Sequence, residues 1–200
     1  MTRRFVQLFV GLWLYGATMA MLVRSGLGLD PWDVFHEGLA LHVPLTFGQV
    51  VIAVGAAVLL LWIPLRQRPG FGTIANVIVI GLAADATLAV LPDAGHLAVA
   101  VLLLVGGIVG NGVAGAMYVG AGLGPGPRDG LWTGIVARTG ASVRLVRTAL
   151  EVTVVVAGFA LGGTVGLGTV LYALMIGPIV QFFLPWFEVR PRATAESVAR

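Results

Sequence analysis

The sequence predicts an all-α membrane protein of about six transmembrane helices, arranged as two inverted three-span repeats that each carry a short broken or re-entrant helix. Three observations predict it: the composition, the spacing of the apolar runs, and a duplication at a fixed offset. Over 200 residues the apolar fraction is 58%, charged side chains make up 10% and mean hydropathy is +0.98. So few solvating groups would not cover a water-exposed surface.

A helix needs roughly 20 apolar residues to cross about 30 Å of hydrocarbon. Six stretches approach that length: 5–23, 46–65, 72–91, 98–119, 143–162 and 168–187. The first follows Met1-Thr2-Arg3-Arg4 and resembles a secretory signal, but its run of about 19 residues exceeds the usual signal core and further spans follow. Two intervening segments, 24–45 and 120–142, are too long for turns and too interrupted for spans.

All 12 basic residues are arginine and cysteine is absent, which removes lysine Schiff-base chemistry, disulfides and thiolate metal sites. Placing the N-terminus in the cytoplasm puts eleven arginines, from Arg3 to Arg200, on or near the inner side and leaves only Arg24 outside. The outer segments then collect Asp30, Asp33, Glu37, Asp93, His36, His42 and His96. This asymmetry predicts that both termini are cytoplasmic. The basic charge is thereby assigned to membrane orientation, and nucleic acid is not an expected partner.

Shifting the chain by 96 residues aligns a second copy without a gap. Gly26-Leu27-Gly28 falls on Gly122-Leu123-Gly124, Pro31 on Pro127, Asp33 on Asp129, and Gly70, Gly72 and Thr73 on Gly166, Gly168 and Thr169. Apolar matches would arise by composition; these conformational and polar ones would not. The expected units are 1–95, 96–187 and a cytoplasmic tail, 188–200. An odd number of spans per unit turns the second copy upside down relative to the first, an architecture shared by many secondary transporters.

Within each copy a glycine-rich bend leads into a short helix, near 31–42 and 127–139. Asp30 and Gly126 are the expected N-caps and Pro31 and Pro127 the first helical residues. Thr46 and Ser142 are placed to cap the following spans. Two arrangements fit: half-helices whose N-termini approach one central site, or amphipathic helices lying on the two membrane surfaces.

The candidate substrate-binding residues are Gly26, Gly28, Asp33, Gly122, Gly124 and Asp129 from the bends, with Asp85 and Asn111 from the spans. An ionisable group such as Asp85 inside a span is expensive enough to mark a functional position. Gln49 and Asn76 are further polar candidates, and Glu151 pairs with Arg147 four residues earlier on one helix face. Spacing offers no convincing metal site, no cofactor motif and no catalytic signature such as His-Glu-x-x-His, so an enzyme is not expected.

On the duplicated motifs Gly26-Leu27-Gly28-Leu29-Asp30-Pro31-Trp32-Asp33 and Gly122-Leu123-Gly124-Pro125-Gly126-Pro127-Arg128-Asp129, the chain resembles the bacterial YczE/YyaS/YitT family of membrane proteins over about residues 5–187. The resemblance implies a plasma-membrane protein and carries no substrate or catalytic residue with it. The expected function is a small-solute or ion transporter or channel working at the interface of the two repeats. The alternative is a non-transporting membrane accessory or scaffold protein. Expected partners are the lipid bilayer and a small solute or ion, and the size is compatible with a homo-oligomer.

Overall fold

A computed structural model describes residues 1–189, so the expected tail lies outside the described residues beyond Val189. Eight helices follow in order: α1 (Thr2–Ser25), α2 (Pro31–Ala40), α3 (Phe47–Leu65), α4 (Phe71–Leu88), α5 (Leu97–Gly120), α6 (Pro127–Thr139), α7 (Val143–Ala160) and α8 (Leu167–Phe187). Among the described residues no strand occurs. Five helices, α1, α3, α4, α5 and α8, are long and apolar enough to cross a membrane. The sixth expected span, α7, has 18 residues but carries Arg144, Arg147 and Glu151 in its first half.

Large apolar side chains, Phe9, Trp13, Leu61, Leu102, Leu174 and Phe182 among them, point outward. In water that surface would aggregate; in lipid it is the solvated one, while the helices satisfy their own backbone groups. The protein is a multi-pass membrane protein.

Helix starts follow the capping residues. Asp30 accepts the amides of Trp32 and Asp33, Thr46 forms a capping box with Gln49, and Ser142 accepts the amide of Leu145. Each cap satisfies an amide that the first helical turn leaves without a carbonyl. Gln49, a candidate for a polar path, is thus used in capping α3.

Two rows of helices build the bundle. In one, α4 packs on α1, α1 on α5, and α5 on α8; in the other, α2 lies against α7 and α3, and α6 against α3 and α7. Under the 96-residue offset α1 corresponds to α5, α2 to α6, α3 to α7 and α4 to α8, and most contacts recur in matched pairs. Gly72 donates its amide to the Leu123 carbonyl at 2.8 Å, and Gly168 donates to that of Leu27, also at 2.8 Å. The bends that meet these helix starts hold Gly28 at φ 119° and Gly124 at φ 130°, where a side chain would strain the backbone.

One pair of contacts is not matched. Helices α3 and α4 pack closely, with Gly48 against Gly81 and the Asp85 carboxylate accepting from the Thr46 hydroxyl and, at 2.7 Å, from the Gly48 amide. Helices α7 and α8 hardly touch, and a methyl group added at Gly177, the counterpart of Gly81, would meet nothing within 4 Å.

Candidate functional site

The two short helices are too brief to cross a bilayer: ten residues of α2 span about 15 Å and thirteen of α6 about 20 Å. Their N-termini meet inside the protein. Arg128, in the first turn of α6, lies with Nη1 3.4 Å from Asp30 Oδ2 and Nη2 3.6 Å from Asp33 Oδ1. Asp30 and Asp33 are buried, at 1% and 0% exposure, and the guanidinium sits 5.1 Å above the ring of Trp32. Trp62 is also buried and donates its indole N–H to the Pro127 carbonyl at 3.0 Å, holding the start of α6 against α3.

The Asp33 carboxylate is enclosed by protein and is not in bulk water. Its Oδ1 pairs with His36 Nδ1 at 2.9 Å, whereas Oδ2 is buried with no hydrogen-bond partner among the described residues. A low-dielectric interior makes such a carboxylate costly unless charge lies close by, and Arg128 supplies it. The inner and outer charges assigned from the sequence to opposite membrane sides, Arg128 and Asp30, are therefore partners in one cluster.

Beside the cluster lies a cavity of about 340 Å³. Its wall includes Asp30, His36, Asn76, Asn111, Arg128 and Asp129, and the rings of Tyr15, Trp32, Tyr118, Trp132 and Tyr172. Asn111 is fixed rigidly: its amide donates to Thr18 Oγ1 at 3.0 Å and to the Tyr15 carbonyl at 3.3 Å, and its Oδ1 accepts the Tyr172 hydroxyl at 2.7 Å. Asp129 accepts the Tyr118 hydroxyl at 3.2 Å and, among the described residues, pairs with no basic side chain. Residues of α7 and α8, including Glu151 and Gly177, complete the wall where those two helices stand apart.

The candidates from the sequence divide into three groups. Asp129 and Asn111 line the cavity and Asp33 stands behind it in the ion cluster. Gly26, Gly28, Gly122 and Gly124 shape the backbone: Gly26 and Gly122 end the turns after α1 and α5 at φ 63° and 61°, and Gly28 and Gly124 lie against Thr169 and Thr73. Asp85 is away from the cavity and joins α4 to the start of α3. Asn76 lines the cavity, and Glu151 forms the expected pair with Arg147 at 2.9 Å.

Sequence reasoning missed Arg128 and the aromatic wall. Arg128 follows Pro127 in a first helical turn, where the macrodipole disfavours a cation, and that misplacement was the available signal that a carboxylate must face it. The aromatic residues lie on five different helices, and no local spacing brings them together.

The family model described as "Family of unknown function (DUF6198)" matches residues 2–185. A Haemophilus influenzae relative named "Uncharacterized protein" is 42% identical over 177 residues, covering 88% of this chain and 81% of its own. The Bacillus subtilis "Uncharacterized membrane protein YczE" is 35% identical over 179 residues, covering 88% and 83%, and B. subtilis "Uncharacterized protein YyaS" is 24% identical over 183 residues, covering 90% and 91%. No solved structure matches the chain significantly. With nearly its whole length matched by the model and by a relative named as a membrane protein, the chain belongs to the DUF6198 family and is YczE- and YyaS-like.

Proposed function

We propose that the protein is a transporter for a small solute, which occupies the cavity between the tips of α2 and α6 and reaches either membrane face in turn. The observation that carries this reading is the meeting of two half-helix N-termini at a cavity walled by Asp129, Asn111 and five aromatic rings. Broken helices converging on a solute site are the arrangement of inverted-repeat transporters.

The contact pairs at the 96-residue offset support a repeat, and α7 as a sixth crossing would invert its second copy and leave both termini on the cytoplasmic side. The unmatched pair supports alternation between two states. Helices α3 and α4 are latched through Asp85 and Thr46 while their counterparts α7 and α8 stand apart. Exchanging the two conformations would close the second pair and open the first without changing the fold.

The chain has no cysteine, so a single one reports unambiguously. Gly115 lines the cavity, and a Cβ there makes only ordinary contacts, 3.4 Å from Val180 and 3.9 Å from Tyr15. Gly115→Cys should be modified by an impermeant methanethiosulfonate applied to right-side-out vesicles and equally to inside-out vesicles. Modification from one side alone, or from neither, rejects alternating access and leaves the accessory or scaffold role.

A further inference from the structure

We propose that the cavity selects an organic cation, an ammonium or guanidinium group attached to an apolar body, with Asp129 as its counter-ion. The inference rests on the cavity being a solute site and names the chemistry of the solute.

Charge is the first argument. Arg128 is already engaged by Asp30 and Asp33, two carboxylates against one guanidinium, and the wall's other arginine, Arg147, is paired with Glu151. Asp129 adds a third carboxylate and has only the neutral Tyr118 hydroxyl as a side-chain partner among the described residues. An anionic solute would meet this surplus of negative charge at low dielectric, where repulsion is strong. A cation would supply the missing partner.

Shape and wall chemistry give the second. Asp129 and Trp132 are three residues apart on α6 and so share a helix face, and both line the cavity with Tyr118. A carboxylate flanked by aromatic rings is the composition that holds alkylated ammonium ions, through charge on one side and ring quadrupoles on the others. Trp32 already performs that role for the Arg128 guanidinium, showing that this wall stabilises a flat cation.

Size separates an organic cation from a bare metal ion. About 340 Å³ lies within the range of pockets for small organic ligands. Among the described residues, no group of three or more His, Asp or Glu side chains is gathered so as to ligate a metal.

The test uses the purified full-length protein in an uncharged detergent, titrated calorimetrically with benzyltrimethylammonium, with benzenesulfonate, and with the neutral 2-methyl-1-phenyl-2-propanol. Saturable binding of the cation is expected, with the other two weaker by about tenfold or more, the scale of a charge contact plus a cation–π contact. Asp129→Asn should weaken the cation about tenfold and Trp132→Leu severalfold, while Asp93→Asn, an exposed surface carboxylate that does not line the cavity, binds as the parent does. Equal binding of the sulfonate or the alcohol, an unchanged cation affinity in Asp129→Asn, or no saturable cation binding overturns the proposal. The ligand ranking on the parent protein decides the matter even if the variants fail to fold. Binding needs no transport: one-sided cysteine access with cation selectivity rejects only the transporter reading, and two-sided access without selectivity rejects only this one.

Discussion

Arg128 and Asp30 are 98 residues apart in sequence, yet the guanidinium of one lies 3.4 Å from the carboxylate of the other at the meeting point of two helix N-termini. A cation in a helix's first turn opposes the macrodipole, and the buried carboxylates of Asp30 and Asp33 offset that penalty. Asp30 in turn caps α2 through the amides of Trp32 and Asp33. The ion cluster thus joins α2 to α6 and fixes the floor of the cavity.

Removing the guanidinium should therefore cost stability as well as binding. Arg128→Gln leaves two buried carboxylates without a cation, and a loss of about 1–3 kcal/mol is expected, below the value for a fully buried pair because the Arg128 side chain is 30% exposed. Adding Asp33→Asn should recover part of that loss, since it removes one of the stranded charges. Thermal unfolding in detergent measures both. A double variant less stable than Arg128→Gln would contradict the pairing.

A second relationship connects α3 to α6. Gly130 packs so closely on Trp62 that a methyl group there would overlap the indole, and at the offset positions the sizes are reversed: Gly158 of α7 lies against the backbone at Val34 and Phe35 of α2. Trp62 with Gly130 and Gly158 with Val34 are the same contact with the bulk moved from one partner to the other. Gly130→Ala should cost about 1–3 kcal/mol by overpacking, and Trp62→Ala about 3–5 kcal/mol through the cavity it leaves. Combining Trp62→Gly with Gly130→Val, the arrangement of the other copy, should be more stable than Trp62→Gly alone. A double-mutant cycle with strictly additive losses would show that the two sites do not share this contact.

Much of the fold was legible because its determinants are local. Asp30, Thr46 and Ser142 stand before apolar runs and cap the helices that follow, and the 96-residue offset gave the order of the eight helices before their contacts. Asp85 shows the limit. A carboxylate within an apolar run was visible, but its partners, the Thr46 hydroxyl and Gly48 amide, belong to the start of the neighbouring helix, and only packing shows that it joins α4 to α3 and does not line the cavity. The aromatic wall was hidden for the same reason. Tyr15, Tyr118, Trp132 and Tyr172 each occupy an ordinary position on a separate helix, α1, α5, α6 and α8, and converge only when the short helices enter the bundle.

Helix α7 is the point at which charge and architecture pull apart. Three ionised side chains in the first half of α7 make it a poor isolated span, since each costs several kcal/mol at the bilayer centre by insertion scales. Two features reduce that cost. Arg147 and Glu151 pair at 2.9 Å, and Arg144 lies near the helix start, where a long side chain can reach the interface. Helix α7 also packs along α2, so part of its surface never meets lipid. If α7 crosses, its two ends lie on opposite sides of the membrane. A cysteine at Ala141, before α7, should then resist an impermeant maleimide in intact cells, whereas one at Val165, after it and 42% exposed, should react. Permeabilisation should make both positions reactive. Equal labelling of the two in intact cells would leave α7 lying on one face, reduce the crossings to five, and remove the odd-numbered second unit on which the inverted repeat depends.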